Sequence, residues 1–92
     1  MVRRMHAAGV PILAGTDTPN PGVFPGLSLH EELGLLTEAG LTPAEALRAA
    51  TLDPARCLGH ADRVGAVEPG KLADLVLLSA NPLDDIRNTR AV

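Results

Sequence analysis

Apolar and polar positions follow different rhythms along this chain, and each rhythm predicts a different element. Val2, Met5 and Ala8 recur at the spacing of one helix face, with Gly9 placed to end the helix. Nothing before them caps this helix, so it is expected to begin upstream of Met1. Val10 to Gly15 is then an unbroken apolar run, the pattern of a short parallel strand covered on both faces. From Asp17 to Leu27, three prolines and two glycines exclude regular structure and predict a mobile loop over the end of that strand.

Helical spacing returns at Leu29, Leu33 and Leu36. Ser28 and Glu31 ahead of them form a capping-box pattern, and Gly40 provides a stop. A second capping box, Thr42-Pro43-Ala44-Glu45, leads into Leu47 and Ala50, with proline at the first helical position. Asp53-Pro54 is expected to open a third, shorter helix that packs Ala55 and Leu58 before Gly59. Beyond Gly59 the rhythm becomes extended. Val64 to Val67 and Leu72 to Leu78 predict a small hairpin, joined by a type II turn at Glu68-Pro69-Gly70-Lys71. Asn81 to Asp85 is a turn, and Ile86 to Thr89 is expected to be a brief extended piece.

Composition narrows the function classes. A chain of 92 residues holds at most one small domain, whereas a complete (β/α) barrel needs roughly 250. The formal charge is −3 and the 8 Lys and Arg are scattered, so the chain has no electrostatic footprint for nucleic acid. Hydrophobic residues make up 46% but Phe24 is the only aromatic, so the core must be built from Leu, Val, Ile and Ala. The single cysteine, Cys57, has no internal disulfide partner and no zinc-knuckle spacing, which fits a reducing compartment. No signal-peptide or membrane-length apolar run is present, so the expected location is cytoplasmic.

Asp17 is the first candidate for chemistry, because an apolar run ends in its single carboxylate, where α/β proteins usually place their reactive groups. His30 lies in the first turn of a helix just after the loop and could touch a substrate at a pocket mouth, or could simply support the Glu31 cap. Glu32 reads as a helix-surface carboxylate and His6 and His60 as solvated. Cys57 reads as a buried small hydrophobe. Lys71 lacks the glycine-rich loop of a phosphate site, so it and Asp74 read as structural.

Five linked motifs carry a family resemblance. They are Ala8-Gly9-Val10-Pro11 to Gly15-Thr16-Asp17, His30-x-Glu32-Leu33, Gly40-Leu41-Thr42-Pro43-x-Glu45-Ala46-Leu47, Ala50-Thr51, and Gly65-x-Val67-Glu68-Pro69-Gly70-Lys71-Leu72-Ala73-Asp74-Leu75. Their order is similar to the C-terminal third of the amidohydrolase superfamily, nearest its imidazolonepropionase-like and prolidase-like branch. The resemblance implies an α/β fold, as the C-terminal fragment of a TIM-barrel metal-dependent hydrolase. The fragment would hold the last barrel strand with its helices, plus part of a small accessory β-sandwich. Residues 1–59 would then close the barrel domain and residues 60–92 would belong to the sandwich.

By the same resemblance, Asp17 is both metal ligand and catalytic residue, exchanging protons with a metal-activated water. The cofactor implied is a divalent metal, zinc first, as one or two ions, not held tightly by this chain alone. The reaction implied is hydrolysis of a cyclic or non-standard C–N bond in a small amide or peptide. The family's other metal ligands belong to segments that this sequence does not contain. The 92 residues alone are therefore expected to be inactive and poorly stable, and to need the remainder of a barrel. The alternative is an interaction module that completes a barrel supplied by another chain, and self-association into a homo-oligomer stays open. Neither nucleic acid nor membrane is expected as a partner.

Overall fold

Local capping decides where the best-defined helix starts. In the computed structural model, which describes all of residues 1–92, α3 (Pro43–Ala50) opens on the predicted capping box. The Thr42 hydroxyl accepts from the Glu45 amide at 3.2 Å, and the Glu45 carboxylate accepts from the Thr42 amide at 2.7 Å. A cap hydroxyl of this kind is worth about 1 kcal/mol. The hydrogen bond from the Thr42 backbone, followed by the Thr42 hydroxyl and His6, holds the Glu45 carboxyl below its ordinary value. His6 lies 3.4 Å from the same carboxylate and ties α1 (Val2–Ala7) to the start of α3.

The other helices begin less predictably. Helix α2 (Leu27–Glu38) is capped at Gly26, two residues ahead of the expected cap at Ser28. Ser28 is therefore inside the helix and buried, and its hydroxyl accepts from the Phe24 amide at 2.6 Å. The hydroxyl serves the loop rather than the helix end. Helix α4 (Leu52–Cys57) follows α3 directly, and buries Ala55 but leaves Leu58 and Cys57 exposed. Cys57 is thus not the buried hydrophobe that its type suggests.

One apolar cluster joins these pieces: Leu33 and Leu36 of α2, Leu41, Ala46 and Ala49 of α3, and Ile86. Ala46 is completely buried, so α2 and α3 approach closely over small side chains. Ile86 comes from a 3-10 helix, Ile86–Arg90, where an extended piece was expected. Asp85 makes the difference, because its carboxylate caps this turn by accepting from the Arg87 amide at 2.9 Å and from the Arg87 side chain at 2.6 Å.

The Arg87 side chain, and after it the Arg87 amide, lowers the Asp85 carboxyl from 3.8 to about 2. Its stabilising contribution is complete above the ordinary carboxylate value and is lost as the pH falls through about 2. In Arg87→Ala, the Asp85 carboxyl is expected to titrate part of the way back towards its ordinary value, followed by carbon NMR of the side-chain carboxyls. An unmoved midpoint would mean that the backbone amide alone lowers it.

The expected strands are absent, which corrects the fold class. Among the 92 residues there is no strand of any kind, neither a last barrel strand at 10–15 nor a piece of β-sandwich at 64–78. The reason lies in the backbone donors, since a strand is defined by its ladder with a neighbour. The Ala14 amide donates to the Ala49 carbonyl at the end of α3, at 2.8 Å. The next amide, Gly15, donates to the Glu32 carboxylate of α2, at 3.2 Å. Helices thus take donors that a sheet would use.

The predicted turn does form around Pro69, with the Lys71 amide on the Glu68 carbonyl at 3.3 Å and Gly70 at φ 90°. Behind it only the Leu72 amide crosses over, to the Arg63 carbonyl at 2.8 Å. From residue 73 to 78 no backbone amide reaches a backbone acceptor, and Leu75, Val76 and Leu77 are largely exposed. The apolar rhythm is that of a strand, but no segment of this chain pairs with it.

Candidate active site

The apolar segment 10–16 reaches the surface at Asp17, which has φ 55°, in the left-handed region that few side chains other than Asn and Asp tolerate. The Thr18-Pro19 peptide, one residue further on, is cis. Three residues on, the Asn20 side-chain amide donates to the Asp17 carbonyl at 2.5 Å and to Asp17 Oδ2 at 2.7 Å. Asp17 Oδ1 accepts no hydrogen bond from the protein. The segment between Asp17 and Leu27 has no regular structure, as expected, and its Asn20 side chain folds back onto the carboxylate of interest. Glu32, read as a surface carboxylate, instead bonds the backbone two residues ahead of Asp17.

His30 is half-buried in α2, with Nδ1 2.9 Å from the Thr89 hydroxyl. The tautomer follows from the network. Thr89 gives its one proton to the Ile86 carbonyl at 3.0 Å, so its oxygen accepts and His30 Nδ1 carries the hydrogen. Nε2 is left free of protein partners, and His30 lines a groove of about 790 Å³ formed mainly by apolar residues, Leu29, Leu33, Leu72 and Leu75 among them. Asp17 does not line that groove, so the two candidates are not in one pocket. A smaller cleft of about 210 Å³ lies between His6, Pro11, Glu45 and Arg48, also away from Asp17.

Chemically, Asp17 offers one hard carboxylate oxygen to the outside, a donor that suits a divalent cation. It can be one ligand only, because no three His, Cys, Asp or Glu side chains of this chain gather where they could hold an ion. Any centre built on Asp17 needs ligands from beyond these residues.

Residues 1–91 match the model of the amidohydrolase family. The chain belongs to that family. An imidazolonepropionase of Geobacillus kaustophilus (strain HTA426) is 47% identical over 78 residues, covering 84% of this chain and 18% of that protein. A solved structure from Bifidobacterium longum, described as a prolidase, aligns at a TM-score of 0.86 and 48% identity over 95% of this chain and 21% of the other. A Xaa-Pro dipeptidase solved with methionine in its active site aligns at a TM-score of 0.87 and 32% identity, over 98% and 21% respectively. This amidohydrolase-family chain thus spans about a fifth of the length of the relatives it matches. No helix in it is long and apolar enough to cross a membrane.

Proposed function

We propose that these residues serve a metal-dependent hydrolase that breaks a carbon–nitrogen bond in a small cyclic amide or a peptide. In this reading Asp17 is a metal ligand and the group that takes up and returns a proton. The observation that carries it is an amidohydrolase-family chain that ends its apolar segment in a carboxylate with one oxygen bound and the other free. A bound divalent ion, zinc in this reading, supplies Lewis-acid polarisation and brings the pKa of water towards about 7.

The chain's own residues do the rest. The Asp17 carboxylate takes up and returns the proton, while the bonds from Ala14 to Ala49 and from Gly15 to Glu32 keep its segment against α3 and α2. His30 Nε2, freed by the Thr89 contact, is the candidate substrate contact. The relatives' names supply the substrate class, a cyclic amide as in imidazolonepropionase or an Xaa-Pro peptide. The division into residues 1–59 and 60–92 and a cytoplasmic location belong to the same proposal. The exposed apolar stretch at Leu75, Val76 and Leu77 favours a second reading, in which the chain completes a hydrolase assembled from two polypeptides.

One assay addresses both readings. Full-length protein carrying these residues is offered imidazolonepropionate and an Xaa-Pro dipeptide, with zinc, after chelation, and after zinc is restored. Hydrolysis of one of them, lost on chelation and regained with zinc, is the expected result. Activity that arises only when a second polypeptide is mixed in would favour assembly from two chains. Failure to cleave either bond under all conditions, or activity indifferent to chelation, would contradict the proposal.

A further inference from the structure

The side-chain amide nitrogen of Asn20 is committed entirely to Asp17. Its amide nitrogen has two hydrogens, and both acceptors within reach belong to Asp17: the main-chain carbonyl at 2.5 Å and Oδ2 at 2.7 Å. Turning the amide over would set its oxygen against two acceptors, so its orientation is determined by the contacts. One side chain therefore controls two variables at once. It stabilises the left-handed backbone of Asp17, φ 55°, and it fixes which carboxylate oxygen is spent inside the protein.

We propose that Asn20 is a positioning residue for Asp17, holding Oδ2 so that Oδ1 alone is presented as a single-oxygen ligand. The inference rests on the proposal that Asp17 binds the metal. A carboxylate free to rotate can meet an ion through either oxygen or both, whereas one tied at Oδ2 meets it in one geometry, with less ordering left to do on binding. Asn20 needs no contact with the ion or the substrate for this role.

Cobalt(II) binding to the metal-stripped full-length protein, followed through the visible absorption of the ion, tests this apart from turnover. Asn20→Leu keeps the approximate shape and removes both donors, and is expected to weaken cobalt binding by about 10- to 100-fold, the usual effect of losing a ligand's supporting hydrogen bond. Asn20→Gln keeps the donors on a longer arm and is expected to recover part of the loss. Both variants should retain wild-type helix content, because Asn20 is exposed and outside every helix. Wild-type affinity in Asn20→Leu, alongside a clear loss in Asp17→Ala, would overturn the positioning role and leave the metal assignment standing. Equal losses in Leu and Gln would assign the effect to loop shape and also overturn it. Unchanged cobalt binding in Asp17→Ala would remove the assignment beneath both.

Discussion

Asp17→Asn in the zinc-loaded full-length enzyme is expected to lower kcat by about a thousandfold or more, with unfolding temperature and helix content unchanged. The size follows from removing a general acid–base group, typically 10²–10⁴-fold, together with the charge of a metal ligand. The substitution is informative because it spares the fold. Asparagine tolerates the left-handed conformation at φ 55° as well as aspartate does, and its side-chain oxygen can still accept from Asn20. What is lost is the negative charge and the ability to accept and return a proton. Loss of kcat with KM little changed, read by steady-state kinetics, would mark an interaction made in the transition state. A variant within tenfold of wild type would show that the proton is carried elsewhere.

Gly65→Ala is expected to be the most destabilising of the glycine-to-alanine changes, by about 3 kcal/mol. Two costs add there. The backbone sits at φ 96°, where a β-carbon costs about 1–2 kcal/mol. The new carbon would also lie 2.8 Å from the Ala55 side chain and 3.1 Å from the backbone of Leu52 and Thr51, an overpacking worth about 1–3 kcal/mol. Helix α4 cannot retreat easily, since Ala55 is buried where the chain folds back over it. Gly70→Ala is the control, because its φ of 90° is similar but nothing lies within 4 Å of the added carbon. Urea unfolding of the two variants should therefore differ by about the steric part alone, of order 2 kcal/mol. Equal losses would mean that Gly65 is required only for its backbone angle.

The legible parts of the molecule are those governed by short-range chemistry. The Thr42 box forms because its partners lie three residues apart and proline cannot occupy any later position in the helix so well. The Pro69-Gly70 turn forms for the same local reason. Ser28 matches an equally good capping pattern, yet Pro25-Gly26 lets the helix start early and the Phe24 amide captures the hydroxyl. There, two local options compete and periodicity cannot choose between them.

Strands were not legible for a different reason. The apolar runs at 10–15 and 72–78 carry the composition of strands, but pairing depends on a second segment, and here the available acceptors are a helix end and a glutamate. At the site, Asp17 stands out because it interrupts an apolar run. Asn20 does not, because a proline-rich loop hides an interaction spanning only three residues, although an Asp and an Asn so spaced within a turn are a usable signal. The His30 contact with Thr89 joins residues 59 apart in sequence and leaves no local trace.

Anomalous X-ray scattering at the metal edge, from crystals of the zinc-loaded full-length protein, tests the role of Asp17 most directly. The expected peak lies about 2.0–2.2 Å from Asp17 Oδ1, with Oδ2 still held by Asn20. A zinc peak that has other ligands and leaves Asp17 outside its coordination sphere would contradict that role.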